Sequence, residues 1–194
     1  MRLFVAIDID ESIRAAIAQF MAGVRGFAPD VRWVSPESLH ITLKFVGEWQ
    51  RLDELERALK FVRGEPMEIG FGGTGFFPTA KSARVFWIGV EAPPALQALA
   101  QEVDAATATL GIESEERAFT PHLTLARSGL GRPHRSSGDR ANSLFQQLQT
   151  RLATMPAPSF GRMTAREFFL FESKLSPKGA RYTKLECFPL VPST

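Results

Sequence analysis

The period of the hydrophobic positions changes several times along the chain, and each change predicts an element. Leu3-Phe-Val-Ala-Ile7 is a short apolar run stopped by Asp8, the pattern of a buried strand. From Glu11 to Val24 the apolar residues Ile13, Ile17, Phe20, Met21 and Val24 recur at steps of three and four, which predicts a helix with one buried face. Beyond the Pro29 to Pro36 connection, Leu39 to Val46 alternates, with His40, Thr42 and Lys44 set against Ile41, Leu43 and Phe45. A period of two predicts a strand whose polar face carries His40 and Thr42 and whose apolar face carries Phe45. Leu52 to Val62 returns to helical spacing. Met67 to Phe77 and Arg84 to Val90 predict a strand hairpin that turns through Pro78 to Ser82.

The same order then runs again. Val85 to Val90 opens it as a strand, Pro93 to Leu110 follows as a helix with proline in its first turn, and Pro121 to Arg127 alternates with His122 and Thr124 on one face. Asn142 to Leu152 is helical, and Met163 to Ser173 with Tyr182 to Leu190 predict a last strand pair around Ser176-Pro-Lys-Gly179. His40 lies 33 positions after Ile7 and His122 lies 34 after Ile88, so each histidine sits at nearly the same distance from the strand that opens its half. This pattern predicts an α+β protein of two mainly antiparallel sheets with outer helices, related by a pseudo-twofold duplication, with the active-site cleft between the lobes. Residues 1–194 are expected to form a single bilobal domain with internal repeats at about 1–83 and 84–194, since a cut at the shared strand would expose a sheet edge in each piece. The polar stretch from Ser128 to Asp139 predicts a mobile loop near the site.

Charge and composition narrow the function classes. In 194 residues, 23 Lys and Arg face 21 Asp and Glu, a net charge of +2, so bulk electrostatics do not make this a nucleic-acid-gripping polycation and any such contact is local. The single cysteine, Cys187, rules out an internal disulfide framework and a multi-cysteine zinc site. The apolar run after Arg2 is too short for a signal-peptide core, and no stretch approaches the ~20 apolar residues of a membrane helix. A soluble cytoplasmic protein without membrane contact is expected.

Two of the three histidines carry a threonine two positions on, as His40-Ile-Thr42 and His122-Leu-Thr124, whereas His134 lies in the polar stretch with nothing matching around it. An isolated strand histidine reads as structural; two in register do not. Ile41 and Leu123 can anchor the core and turn each His and Thr to the opposite face, where the two faces of a twofold can converge. Metal-free cleavage of a phosphodiester needs a base for water, an acid for the leaving oxygen and donors for the phosphate oxygens. Two imidazoles supply the base and acid, and the Thr42 and Thr124 hydroxyls supply donors. Arg127 adds a guanidinium fork if the strand end turns it inward, and is an ordinary surface residue if not. No adjacent His, Cys, Asp or Glu stands at ligand spacing, so no metal or other cofactor is expected. A Gly-x-Ser-x-Gly elbow is lacking. Gly70-Phe-Gly-Gly-Thr-Gly75, with no Lys-Ser/Thr after it, reads as bends in a strand. Phe76-Phe77 and Phe168-Phe-Leu-Phe171 read as core aromatics.

These motifs, with the opening Arg2-Leu-Phe-Val-Ala-Ile7, the tail Lys44-Phe-Val-Gly47 and the close Leu170-Phe-Glu-Ser173 with Tyr182, resemble the RNA 2',3'-cyclic phosphodiesterases, or 2'-5' RNA ligases, of the two-histidine phosphoesterase superfamily. The resemblance spans nearly the whole chain. It implies metal-independent opening of a 2',3'-cyclic phosphate to a 2'-phosphomonoester and, in some members, reversible ATP-independent 2'-5' joining of RNA ends. It further implies His40 and His122 as the acid/base pair, Thr42 and Thr124 as phosphate donors, Arg127 as a phosphate or nucleotide contact, and Phe45 as an aromatic near the nucleotide. Strand alternation, by contrast, points Phe45 toward the core. The roles lean to His122 as base and His40 as acid. RNA ends or nucleoside cyclic phosphates are the expected substrates of a monomer with no obligate protein partner. Two alternatives stay open: a module that binds a nucleotide or RNA end without turnover, and an esterase for another cyclic phosphate or for 2'-5' oligonucleotides.

Overall fold

The computed structural model describes residues 1–129, 137–176 and 179–192. Its strands are β1 (Arg2–Asp8), β2 (Arg32–Trp33), β3 (His40–Glu48), β4 (Met67–Phe77), β5 (Val85–Glu91), β6 (His122–Arg127), β7 (Ser159–Ala165), β8 (Glu167–Ser176) and β9 (Gly179–Pro189). Its helices are α1 (Glu11–Val24), α2 (Leu52–Leu59), α3 (Pro94–Ala108) and α4 (Ser137–Ala153). The strands form two antiparallel sheets, a four-stranded one in the order β3-β1-β8-β9 and a five-stranded one in the order β2-β6-β5-β4-β7. The α+β class and the two antiparallel sheets agree with the sequence pattern.

The duplicated units are β1-α1-β3 and β5-α3-β6, in each of which two antiparallel neighbours are separated by a helix. The sheets do not follow the sequence halves, however. β4, from before residue 84, pairs with β5 in the second sheet, while β8 and β9 return to the first. The predicted strand Met163 to Ser173 is in fact two strands broken at Arg166: β7 lies on the edge of one sheet and β8 in the middle of the other. Both pieces are rich in apolar residues, so the pattern runs through a break that only partner choice reveals. The 128–139 stretch falls largely outside the described residues, and His134 with it; from Ser137 the chain is already helical.

Each helix buries the face its spacing specifies. Ile13, Ile17, Met21 and Val24 of α1 are buried, with Phe20 edge-on to Phe160 of β7. α3 starts on Pro94, which has no N–H to leave unpaired in a first turn, and buries Leu96, Leu99, Ala100, Val103 and Thr107. α1 touches β7 and α3 touches β3, so the helix of each unit packs on an edge strand of the opposite sheet. Ile7 and Ile41 from one sheet and Ile88 and Leu123 from the other belong to one continuous buried cluster.

Inside this core sits a charge. Lys44, 5% exposed, ion-pairs with Asp104 of α3 and donates to the Glu113 carbonyl at 2.6 Å. Asp104 also accepts from the Glu115 N–H at 3.1 Å. Burial pushes the Asp104 carboxyl up, but the Lys44 ammonium and the Glu115 N–H outweigh it and hold the group below the ordinary carboxylate range. The first motif strand is thereby tied to the connection that leads into β6.

Candidate active site

One extra residue directly after the threonine of each motif sets the site. In the β1–β3 register Ala6 faces Thr42 and Val5 faces Lys44, which leaves Leu43 unmatched. In the β5–β6 register Trp87 faces Thr124 and Phe86 faces Ala126, which leaves Leu125 unmatched. A bulge of this kind inverts the alternation beyond it. Leu43 and Lys44 are consequently both buried, as are Leu125 and Ala126, and the residue five after each histidine returns to the histidine's face. Phe45 is therefore not a core residue: it is 60% exposed, and the Phe4 ring lies between it and His40, with centroids 6.3 Å and 4.7 Å away. Arg127 turns the same way and donates from a guanidinium nitrogen to Thr124 Oγ1 at 3.5 Å. The turn of Arg127 toward Thr124, left open by strand alternation, comes from the Leu125 bulge.

The two histidines are held alike. His40 Nδ1 donates to the Ser38 carbonyl and His122 Nδ1 donates to the Thr120 carbonyl, each at 2.7 Å and each two residues upstream. Because a carbonyl only accepts, the neutral rings carry their proton on Nδ1 and present a bare Nε2. Among the described residues neither Nε2 has a hydrogen-bond partner. His40 rests on Phe4, with Tyr182 edge-on at 5.2 Å and Phe171 at 6.2 Å. His122 meets Phe77 edge-on at 4.9 Å, with Trp87 at 6.4 Å. Phe77, read from the sequence as core, is only half-buried and backs His122; Phe171 is buried as that reading has it, in the small cluster with Phe4, Ala6 and Phe169 behind His40, and Phe76 and Phe168 pack on Phe86 and Phe188. Gly75 admits the Trp87 indole: a Cβ there would lie 2.1 Å from the ring.

Electrostatics link the two motifs. Burial pushes His40 down to about 4; the Ser38 carbonyl and Asp8 pull the other way, and Arg127 and Arg14 add to the lowering. His122 is lowered by burial and by Arg127, with the Thr120 carbonyl opposing. Arg127 therefore acts on both imidazoles, and β3 and β6 come into contact across the two sheets. Both rings are neutral near pH 7 without substrate, ready to accept protons once an anion offsets the guanidinium.

Asp8 is the residue that sequence reasoning missed. It stands opposite His40 in the β1–β3 register and accepts from Arg14 and Lys184, each at 2.6 Å. Burial raises its carboxyl, yet Lys184, the Ile9 N–H and Arg14 more than reverse this. Its one sequence signal was position, as the acid that ends the opening strand. Tyr182 carried no chemical signal of its own, since β9 is brought to the site only by pairing with β8. Thr42 and Thr124 are half-buried on the strand face of their histidines. Among the described residues no three His, Cys, Asp or Glu side chains gather as a metal site would require.

Comparison with known proteins matches this arrangement to one family. The family model of the 2'-5' RNA ligase superfamily matches residues 4–158. An Archaeoglobus fulgidus protein named RNA 2',3'-cyclic phosphodiesterase is 37% identical over 190 residues, covering 97% of this chain and 99% of the relative. A Methanothermobacter thermautotrophicus protein of the same name is 34% identical over 194 residues, covering 98% and 99%. The crystal structure of Escherichia coli LigT complexed with NADP+ superimposes with a TM-score of 0.76 at 28% identity, covering 98% of both chains. With the paired motifs in matching bulged strands and relatives aligned over nearly their full length, the chain belongs to the 2'-5' RNA ligase superfamily.

Proposed function

We propose that this protein is an RNA 2',3'-cyclic phosphodiesterase that opens the cyclic phosphate of a nucleoside or RNA end to a 2'-phosphomonoester, and that the same cleft supports reversible, ATP-independent joining of RNA ends through a 2'-5' bond. The observation that carries the reading is the matched pair of imidazoles, each fixed through Nδ1 by the carbonyl two residues before it, with Arg127 acting on both. Binding alone needs donors; it does not need two bare imidazole nitrogens. Relatives named RNA 2',3'-cyclic phosphodiesterase support the same conclusion.

In this mechanism His122 takes the proton of the attacking water as its oxygen bonds to phosphorus, and His40 gives a proton to the 3' oxygen as the P–O3' bond breaks. Asp8 favours this division, because it is the carboxylate acting on His40 and among the described residues none acts on His122. Burial outweighs Asp8 while the cleft is empty. The substrate's negative charge favours the His40 imidazolium directly, beside Asp8, and offsets Arg127 as well. Arg127 and the hydroxyls of Thr42 and Thr124 receive the non-bridging oxygens, whose charge grows in the transition state. In joining, a 5'-hydroxyl takes the place of the water: His122 takes its proton as O5' bonds to phosphorus, His40 protonates O3' as the P–O3' bond breaks, and a 2'-5' diester is left; the strained ring supplies the driving force, so no nucleotide triphosphate is consumed.

The test is incubation with the four nucleoside 2',3'-cyclic phosphates and identification of the product by phosphorus NMR. Exclusive 2'-monophosphate is expected. Exclusive 3'-monophosphate would reverse the assigned orientation, and no turnover of any cyclic nucleotide or cyclic-ended RNA would leave a binding module. Activity is expected to be the same in excess EDTA, since the chemistry is assigned to imidazoles, hydroxyls and a guanidinium. Loss in EDTA with recovery on adding one divalent ion would overturn that assignment.

A further inference from the structure

β2 is only two residues long, yet it places a second arginine beside the site. Arg32 is the register partner of Arg127, and Trp33 is the partner of Ala126. Directly opposed residues of an antiparallel pair project to the same face, with Cα atoms about 5 Å apart. Trp33 turns inward with Ala126, its ring edge-on to Phe86 and its Nε1 donating to the Ala28 carbonyl at 2.9 Å. Arg32 must then share the outward, cleft-side face of Arg127, and both are exposed. Among the described residues no carboxylate pairs with either guanidinium. Two like charges directly across a ladder repel, so this arrangement is unfavourable until an anion joins them.

Counting charge indicates which anion. A cyclic phosphodiester carries a single negative charge, and Arg127 already stands against it, within electrostatic reach of both histidines. Arg32 stands on the edge strand outside β6, so it lies beyond Arg127 on the side away from β5. A free nucleoside cyclic phosphate offers nothing for it; a ribonucleotide chain offers its next phosphodiester.

We propose that Arg32 forms a second phosphate subsite beside Arg127, which reads the phosphodiester adjoining the reacting end and so makes cyclic-ended oligoribonucleotides, rather than free cyclic nucleotides, the favoured substrates. This rests on the cleft being a cyclic phosphodiesterase site, and it specifies which substrates that site prefers. Arg32 takes no part in the bond-breaking step and acts through affinity.

The experiment compares wild type with Arg32→Gln and Arg32→Lys, after circular dichroism has established equal folding. kcat/KM is measured on a cyclic-phosphate-ended pentanucleotide and on the matching nucleoside 2',3'-cyclic phosphate. In parallel, affinity is measured for a labelled pentanucleotide ending in a 2'-phosphate and for a nucleoside 2'-monophosphate. For Arg32→Gln the preference ratio of oligonucleotide over mononucleotide is expected to fall about tenfold, the effect of losing one charged hydrogen-bonding contact. The salt dependence of oligonucleotide binding should weaken by about 0.7 in logarithmic slope, the value for one phosphate contact on a single strand. Arg32→Lys should keep that slope, because the charge remains. An unchanged ratio overturns the proposal, whether both substrates fall together or neither does. So does an equal loss of affinity for the mononucleotide product, which would mean that Arg32 holds the second charge of the phosphomonoester. If the wild type turned over no cyclic phosphate, the catalytic reading would fail, while the two affinities, which need no turnover, would still decide for or against the subsite.

Discussion

Replacing either His40 or His122 with Ala is expected to lower kcat by roughly 10²–10⁴, the range for loss of one general acid or base, without unfolding the protein. Each ring is anchored by one backbone carbonyl and packed by aromatics on one side, so the fold loses a contact but no buried charge. The double variant should be far less impaired than the product of the two single losses, because the second imidazole assists a concerted step that the first loss has already stopped. Thr42→Ala and Thr124→Ala should fall between these and wild type, each removing one hydroxyl donor. His134→Ala is the internal control, and turnover abolished there but retained in His40→Ala would show that the motifs had been misread.

The pH profile carries the same test in another form. The base must be neutral and the acid protonated, and in the free protein both imidazoles lie below the ordinary value of 6.5. The bell for kcat/KM, which reports free-enzyme groups, should therefore be centred on the acid side of 6.5. The bell for kcat should lie at higher pH, because bound phosphate favours both imidazolium forms. This differs from the plain histidine range that the motifs alone imply, and the cause is burial, which a motif does not encode. A kcat/KM bell centred above 7 would contradict the desolvated site.

Asp104→Ala is expected to destabilise the protein by about 3–5 kcal/mol in urea unfolding, the magnitude for removing one partner of a buried pair. It strands the Lys44 ammonium, 5% exposed, with the Glu113 carbonyl as its remaining partner. Lys44→Met should cost much less, because the Asp104 side chain keeps 24% of its exposure and can find water. The double variant Lys44→Met/Asp104→Ala should recover most of the stability lost in Asp104→Ala. In Asp104→Ala the stranded lysine sheds its proton more readily folded than unfolded. The unfolded chain then binds more protons, and stability should rise with pH toward the ordinary lysine range. A cost under 1 kcal/mol, with no added pH dependence, would mean that Lys44 swings out to solvent.

What was legible in the sequence follows from how local each signal is. The His-x-Thr pairs, the strands that bear them and the helix faces all lie within a few consecutive residues, and their periods are those of the backbone itself. Phe45 was misdirected by that same logic: a period of two holds only until a residue is inserted, and nothing in Thr42-Leu-Lys-Phe45 announces the bulge. Lys44 reads from the sequence as one more polar residue on the face of His40 and Thr42; only its ion pair with Asp104 shows that it turns the other way. Asp8 and Tyr182 reach His40 through strand pairing between distant parts of the chain, and the split at Arg166 depends on which sheet each piece joins. Such choices are made by tertiary packing, which single-sequence periodicity does not carry.

The return of β8 and β9 to the first sheet has a consequence for the order in which a ribosome could complete the two walls of the cleft. A nascent chain that has emerged only as far as Ala165 already holds all five strands of the sheet that carries His122. Of the four-stranded sheet it holds β1 and β3 alone, so β1 has an unpaired edge and the Phe4 side of His40 lacks its Phe171 and Tyr182 neighbours. The histidine synthesised first is thus the last to be enclosed. Throughout that interval the open β1 edge is the part of the growing chain most able to pair wrongly, with another strand or another molecule.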